Sequence, residues 1–225
     1  MKFFVETTQG RTSLDISIDT LIIAGWAGRD AVAMEHHIQE LEALGIKRPA
    51  STPIFYRVSA SRLAPAAVLQ NPGPTSSGEV EYLLVKHAGV VYVGVASDHT
   101  DREVEKYGIT VSKQMCDKPC ADTLWRWDDV IAHWDKLELR SRIKTETGMQ
   151  TYQSGPVSGL LNPQDLLQKL AAFEAFADGT AMFGGTLAAI GGIRPSDRFE
   201  YELHDPVLGR TISAGYDIVS LPLRG

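Results

Sequence analysis

Three acidic residues in one stretch of the chain have the types and spacing of a ligand set for a hard divalent cation. Glu79 and Glu81 are separated by one residue, and side chains two apart in a strand point to the same face of a sheet. Asp98 ends the next apolar run, and a hairpin between the two runs would bring it to the same end of the sheet. Oxygen ligands suit Mg²⁺, Mn²⁺ or Ca²⁺, whereas zinc usually draws His or Cys.

The same spacing has a second interpretation. Glu-x-Glu is also common on exposed strand faces, where solvated carboxylates alternate with core residues. Three carboxylates need a shared cation only where they are buried, because unpaired charges in a low dielectric repel each other and lose their hydration. Spacing alone leaves both interpretations open.

A histidine and a glutamate on a predicted helix over residues 29–44 form a second candidate group. His37 and Glu40 are three apart, and His36 is four residues from the same glutamate, so either imidazole can meet this carboxylate on the helix surface. A carboxylate can fix the tautomer of an imidazole, and this favours the imidazole as a general base that takes a proton from water. An ordinary solvated helical face with ion pairing is the alternative.

A lysine follows the predicted hairpin. Three of the residues 109–112 are β-branched, and the segment predicts a strand that presents Lys113 at its end. Beside a three-carboxylate site, an ammonium group can stabilise an oxyanion on a substrate. Without that neighbourhood it is an ordinary lysine.

The elements that must position these residues form an α+β pattern. The predicted hairpin pairs 79–87 with 90–96 around a turn at 87–89, and residues 1–60 are expected to form a small N-terminal sheet and a lid-like helix. Other strands are predicted at 3–5, 14–18, 21–24, 54–58, 137–143, 149–153, 199–203 and 210–213. Other helices are predicted at 101–107 with Thr100 as its cap, within 125–134, and from Asn162-Pro163 onward with Leu166, Leu167, Leu170 and Phe173 on one side.

Composition limits the class of protein. The 225 residues, of which 44% are hydrophobic, are enough for one catalytic domain spanning 1–225. No apolar run approaches the roughly 20 residues that cross a bilayer, and the first residues lack the pattern of a signal peptide, so we expect a soluble cytoplasmic protein without a membrane partner. A net charge of −6 argues against a nucleic-acid partner.

Cys116 and Cys120 have neither the spacing of a redox motif nor that of a zinc site and are expected to be reduced thiols.

The order of the motifs resembles the fumarylacetoacetate hydrolase-like superfamily. Its Glu-x-Glu motif looks like residues 79–81, and its Asp-x-Thr-x-Arg-Asp segment looks like residues 98–103, with Glu103 in place of the last Asp. Its downstream lysine looks like Lys113. Its glycine-rich C-terminal pattern resembles residues 179–191, in which Gly179, Gly185, Thr186 and Gly191 are retained.

The N-terminal part departs from that pattern. Residues 37–40 fit the His-x-x-Glu of the superfamily, but residues 25–28 lack the Asn-Tyr of its Gly-x-Asn-Tyr motif. Arg57 stands where its Phe-x-Lys-Pro motif has lysine. The resemblance therefore points to a divergent branch.

What the resemblance implies is a mixed β-roll with peripheral helices, a homodimer, and bound Mg²⁺ or Mn²⁺, with Ca²⁺ an alternative in crystals. The implied activity is hydrolysis of a carbon–carbon bond in a small 2,4-dioxo acid. The alternatives are a metal-dependent decarboxylase or dehydratase of a 2-oxo or sugar acid, or a non-catalytic binding protein of this fold. The implied catalytic residues are His37, Glu40 and Lys113, and the implied substrate-binding residues are Arg57, Arg102, Gly185 and Thr186.

Overall fold

A computed structural model of the protein describes residues 1–43 and 48–224, without the side chains of residues 37, 40, 41 and 43. The strands are β1 (Lys2–Thr7), β2 (Gly10–Asp15), β3 (Thr20–Gly25), β4 (Ile54–Val58), β5 (Leu63–Ala64), β6 (Val68–Pro72), β7 (Ser76–Ser77), β8 (Val80–His87), β9 (Val90–Ser97), β10 (Thr100–Asp101), β11 (Lys118–Pro119), β12 (Thr123–Arg126), β13 (Glu138–Thr145), β14 (Gly148–Pro156), β15 (Thr180–Thr186), β16 (Arg198–Asp205) and β17 (Arg210–Leu221). The α-helices are α1 (Ala31–Ala43), α2 (Arg102–Glu105), α3 (Ile109–Met115), α4 (Trp127–Val130) and α5 (Pro163–Leu170). Short 3-10 helices span Ala60–Arg62, Ile131–Lys136 and Val157–Gly159.

Two mixed sheets carry the fold. An eight-stranded sheet has the order β2-β1-β12-β9-β8-β15-β3-β4, and a five-stranded sheet has the order β14-β13-β16-β17-β6. The large sheet is mixed because β1 runs parallel to β12 and β15 runs parallel to β3, whereas β8 and β9 form an antiparallel hairpin. Two short two-stranded sheets, β10-β7 and β11-β5, flank the end of that hairpin.

The hydrophobic core lies on both faces of the large sheet. On one face Tyr82 and Leu84 of β8 pack with Phe199 and Tyr216 of the five-stranded sheet. On the other face Leu83 of β8 belongs to a second buried cluster that includes residues of β1, β3, β4 and β12. The centre of β8 is therefore buried on both sides, which explains its nearly continuous apolar sequence.

Most predicted strands are present, but the N-terminal ones have different partners. The strands predicted at 137–143 and 149–153 are confirmed as β13 and β14, which pair with each other. Those predicted at 199–203 and 210–213 are confirmed as the hairpin β16–β17. The three N-terminal strands are not a separate sheet, since β1 and β2 form one edge of the large sheet and β3 lies between β15 and β4. Alternating apolar residues predict a strand, but they do not predict a partner that is more than 100 residues away.

Helix α1 begins two residues later than predicted, because Asp30 caps it by accepting hydrogen bonds from the backbone N–H groups of Val32 and Ala33. Helix α5 begins where predicted, with Asn162 as its cap and its leucines buried at 166 and 170. Phe173 lies beyond the end of this helix and is exposed, so its predicted place on the buried side is wrong. In the ranges that the structure describes, no helix is long and apolar enough to cross a membrane.

The segment after the β8–β9 hairpin differs most from the prediction. The cap of α2 is Asp101 rather than Thr100, because the Asp101 carboxylate accepts hydrogen bonds from the backbone N–H groups of Glu103 and Val104. The predicted strand at 109–112 is wrong, since these residues form the first turn of α3, which Gly108 precedes as N-cap. Strand propensity of β-branched residues is a weak preference, and here tertiary packing overrides it.

Gly184 provides a test of the packing of β15 against β8. A Cβ atom at this position would lie 1.8 Å from Cζ of Tyr82, whose buried ring is held edge-to-face by Trp134 at 5.0 Å. We expect Gly184→Ala to lower the free energy of unfolding by about 3 kcal/mol or more, since neither ring can move aside. Gly159→Ala is the matched control, because its Cβ would meet no atom within 4 Å. Urea unfolding of both variants measures the difference, and equal stabilities would contradict the packing described here.

Candidate metal centre

The hairpin of β8 and β9 brings the three predicted carboxylates together. Val80 pairs with Ser97 and Glu81 with Ala96, so Glu79 and Asp98 meet at the open end of the hairpin. One carboxylate oxygen from each of Glu79, Glu81 and Asp98 lies within 4.8 Å of the other two. Glu81 is 3% and Asp98 0% exposed, which excludes a solvated strand edge. We call these three residues the carboxylate cluster.

A backbone amide holds Glu81. Its Oε2 accepts a hydrogen bond of 2.6 Å from the N–H of Gly185 in β15. Gly185 has a φ of 104°, and a Cβ atom there would lie 3.0 Å from Cβ of Ala27, so both conformation and space favour glycine. Glu81 forms no ion pair with a lysine or arginine within the described part of the chain. Burial and the neighbouring Asp98 charge therefore raise the pKa of Glu81.

Two lysines hold Asp98. Lys113 of α3 donates to its Oδ2, and Nζ of Lys118 in β11 lies 3.1 Å from its Oδ1 while also donating to the backbone oxygen of His99. Burial opposes ionisation of Asp98, but the two ammonium groups outweigh it and hold the pKa of this carboxyl below its usual range. Burial also opposes protonation of Lys113, yet the charges of Asp98 and Glu79 raise its pKa, so this side chain stays a cation.

Arg102 holds Glu79. Its Nη2 lies 3.1 Å from Oε1 of Glu79, its Nη1 donates to Glu105, and its Nε donates to Oγ of Ser77. The guanidinium is largely buried, and Glu79 together with Glu105 keeps its pKa raised despite that burial. The predicted substrate-binding residue Arg102 is thus located at the cluster, where it orients a ligand candidate.

The other predicted site residues are distributed differently. Thr186 lies beside the cluster, but its hydroxyl donates to the backbone oxygen of Val80 at 2.7 Å. Arg57 lies on the edge strand β4, three strands from β8, where it pairs with Glu174 away from the cluster. His37 and Glu40 lie on α1, and their side chains are outside the described residues.

Sequence reasoning missed two residues at the centre. Lys118 is fully buried against Asp98, and burial lowers its pKa. Tyr56 of β4 lies with its ring centroid 5.8 Å from Nζ of Lys113, and burial raises the pKa of its phenol. Neither residue carries a local sequence signal, because both reach the cluster through non-local packing.

His99 and the two cysteines are buried. Burial, with help from the Lys118 charge, lowers the pKa of His99 to about 3, so the imidazole is neutral between Asn71 and Tyr216. Cys116 and Cys120 are free thiols, and burial raises their pKa values to about 11 and about 12. They are therefore not thiolates near neutral pH.

The carboxylate cluster fits a hard divalent cation. It offers three carboxylate oxygens within 4.8 Å of one another, which is the ligand chemistry of Mg²⁺, Mn²⁺ or Ca²⁺. Glu81 is the residue that most needs such an ion, because it is a buried carboxylate whose hydrogen-bond donor within the described residues is a backbone amide. Glu79, Glu81 and Asp98 would hold the ion, and water or substrate oxygens would complete its shell.

A protein-family profile matches most of the chain. The sequence profile of a family described as "Protein of unknown function (DUF2848)" matches residues 24–216. No curated protein matches the chain by sequence.

Three solved structures are similar in fold. "Crystal structures of Cg1458" has a TM-score of 0.67 at 13% identity and covers 95% of this chain and 81% of that chain. "2-keto-3-deoxy-D-arabinonate dehydratase complexed with magnesium and 2,5-dioxopentanoate" has a TM-score of 0.62 at 13% identity, covering 96% and 79%. "4-oxalocrotonate decarboxylase from Pseudomonas putida G7 - complexed with calcium and acetate" has a TM-score of 0.56 at 14% identity, covering 91% and 78%. These neighbours belong to the fumarylacetoacetate hydrolase superfamily, so the predicted fold class is confirmed.

Removal of Lys118 tests the charge balance at Asp98. Lys118→Met leaves the buried carboxylate with one ammonium partner, and we expect the free energy of unfolding to fall by about 3 kcal/mol. Lys106→Met is the matched control, because Lys106 pairs with Glu103 on the surface and should contribute less than about 0.5 kcal/mol. Chemical denaturation checks both variants. Equal losses would show that Lys118 does not compensate the Asp98 charge.

Proposed function

The chain belongs to the family described as "Protein of unknown function (DUF2848)", and we propose that it is a divalent-metal-dependent enzyme that acts on a small oxo acid. The observation that carries the proposal is the buried carboxylate cluster, in which Glu81 has no cationic side-chain partner within the described residues. We also infer that the family is a divergent branch of the fumarylacetoacetate hydrolase-like superfamily, supported by the shared fold and the order of the motifs.

A bound Mg²⁺ or Mn²⁺ would act as a Lewis acid on the carbonyl and carboxylate oxygens of an oxo acid. The protein supplies the rest of the electrostatics. Lys113 stays protonated beside Asp98 and can stabilise negative charge that develops on a substrate oxygen. Arg102 fixes Glu79, and the N–H of Gly185 fixes Glu81, so the carboxylates do not have to reorganise when the substrate binds.

A lyase reaction, either dehydration or decarboxylation of a 2-oxo or sugar acid, is the activity that these features support best. It needs a polarised carbonyl and a cation for the developing charge, and the carboxylate cluster with Lys113 would supply both. Two of the structures with a similar fold are a dehydratase and a decarboxylase, which supports the same choice.

Hydrolysis of a carbon–carbon bond in a 2,4-dioxo acid is the second candidate. Its support is the His37–Glu40 spacing on α1, because attack by water on the remote carbonyl needs a general base. A protein of this fold that binds an oxo acid without turning it over is the remaining alternative.

We further propose that the protein is a homodimer, which analytical ultracentrifugation tests.

Glu81→Gln tests the metal site while preserving the shape of the side chain. Because the change removes one ligand charge, we expect Mn²⁺ affinity measured by calorimetry to fall at least about 100-fold, beyond the loss typical of a residue that only supports a ligand. Turnover of 2-oxo acids should fall with it. Glu146→Gln makes the same chemical change on the exposed turn between β13 and β14 and should have no effect. Unchanged Mn²⁺ affinity in Glu81→Gln would refute the proposed site.

His37→Ala separates the two reactions. A lyase needs no water-activating imidazole, so we expect the variant to retain its turnover of 2-keto-3-deoxy sugar acids or oxalocrotonate-type acids within a few-fold. For a hydrolase of acylpyruvates, loss of the general base should lower kcat by about 100-fold or more. Product analysis of wild-type protein with both substrate classes, followed by kcat of the variant, decides between them. Strong loss of activity in this variant would therefore overturn the lyase assignment.

A further inference from the structure

The pairing of β15 with β8 is interrupted next to Glu81. The register runs from Ala181 opposite Val85 to Phe183 opposite Leu83 and then shifts, so that Thr186 lies opposite Glu81. Gly184 and Gly185 occupy this β-bulge, which turns the N–H of Gly185 toward the Glu81 carboxylate.

Side chains replace the sheet hydrogen bonds at the bulge. Val80 lies between the two glutamates, and its backbone N–H donates to Oε1 of Gln153 at 3.0 Å. The backbone oxygen of Val80 accepts from the Thr186 hydroxyl at 2.7 Å. Because Val80 is fully buried, both of its backbone groups depend on these side chains rather than on water.

Both the oxygen and the nitrogen of the Gln153 side-chain amide make two hydrogen bonds. Its Oε1 also accepts from Oγ of Ser141 at 2.9 Å, and its Nε2 donates to Oγ1 of Thr186 at 2.8 Å and to the backbone oxygen of Leu187 at 2.6 Å. A backbone N–H can only donate and a backbone oxygen can only accept, so these partners fix the orientation of the amide. Gln153 is 1% exposed and thus ties β14, β8 and the end of β15 together.

A second β-bulge, between β13 and β14, orients the Gln153 side chain. The register of β13 with β14 shifts after Ser141, which lies opposite Gln153, and Arg142 then lies opposite Thr151. Tyr152 is the extra residue, and consequently Tyr152 and Gln153 are both buried although they are adjacent in the strand. A regular strand would direct one of the two to the opposite face.

We propose that Gln153 is a positioning residue of the metal centre. It fixes the peptide between Glu79 and Glu81, and through Thr186 and Leu187 it fixes the end of β15 that presents the N–H of Gly185 to Glu81. The inference rests on the proposed metal-dependent function. A purely structural tie between the two sheets would affect the stability of the fold but not the affinity for a metal ion.

The test is Mn²⁺ binding by calorimetry, at a temperature at which circular dichroism shows each variant to be folded. Gln153→Met removes all four hydrogen bonds at nearly constant volume, and we expect Mn²⁺ affinity to fall about 10- to 100-fold, as is typical for residues that orient ligands. Gln150→Met is the control, since Gln150 is an exposed residue of the same strand. Its Mn²⁺ affinity should equal that of the wild type.

Variants of Thr186 provide an independent test of the proposal, which also decides it if Gln153→Met does not fold. Thr186→Val keeps the shape but removes the donor to Val80 and the acceptor for Gln153, and it should weaken Mn²⁺ binding by a similar factor. Thr186→Ser retains the hydroxyl and should restore most of the affinity. In the double variant of Gln153→Met and Thr186→Val, the losses should be less than additive because both act through Val80.

Mn²⁺ affinity within about twofold of wild type in folded Gln153→Met, or in Thr186→Val, would overturn the inference and leave Gln153 as a tie between sheets. That outcome differs from failure of the proposed function, in which the wild-type protein itself binds no Mn²⁺. The latter result would overturn both proposals.

Discussion

The burial of three carboxylates at the open end of one hairpin is the constraint on which the rest of the site depends. Ionised groups that lie so close together in a low dielectric are unfavourable unless cations or hydrogen bonds compensate their charges. Asp98 is compensated by Lys113 and Lys118, and Glu79 by Arg102. Glu81 has a backbone amide instead, so the compensation is uneven. A hard divalent ion between the three groups is the chemically simplest way to complete it.

The geometry of the cluster is imposed by the backbone more than by the carboxylates. Glycines at 184 and 185 allow β15 to bulge against β8, and this bulge directs an amide at Glu81. The peptide beside Glu81 then lacks a partner strand, and the side chains of Gln153 and Thr186 replace it. The geometry of the carboxylate cluster and the packing of the two sheets therefore depend on the same few hydrogen bonds.

The parts of the site that sequence could predict are local. The β8–β9 hairpin follows from two apolar runs, a turn at Ala88-Gly89 and the period of two between the glutamates, so the convergence of Asp98 with Glu79 and Glu81 could be inferred. The strand predicted before Lys113 is wrong, because three β-branched residues favoured a strand where packing makes a helix.

Non-local features were not predictable. Lys118 and Tyr56 reach the cluster only because β11 and β4 fold against it, and nothing near them in sequence signals chemistry. The burial of Gln153 depends on a bulge that breaks the alternation of β14. The N-terminal strands were recognisable, but their parallel partners β12 and β15 are far away in the chain.

The most direct measurement of the central claim is anomalous diffraction from crystals of the protein grown with Mn²⁺. The account predicts a single strong peak about 2 Å from one carboxylate oxygen of each of Glu79, Glu81 and Asp98. Absence of a peak at the cluster, with the Mn²⁺ bound elsewhere or not at all, would contradict it.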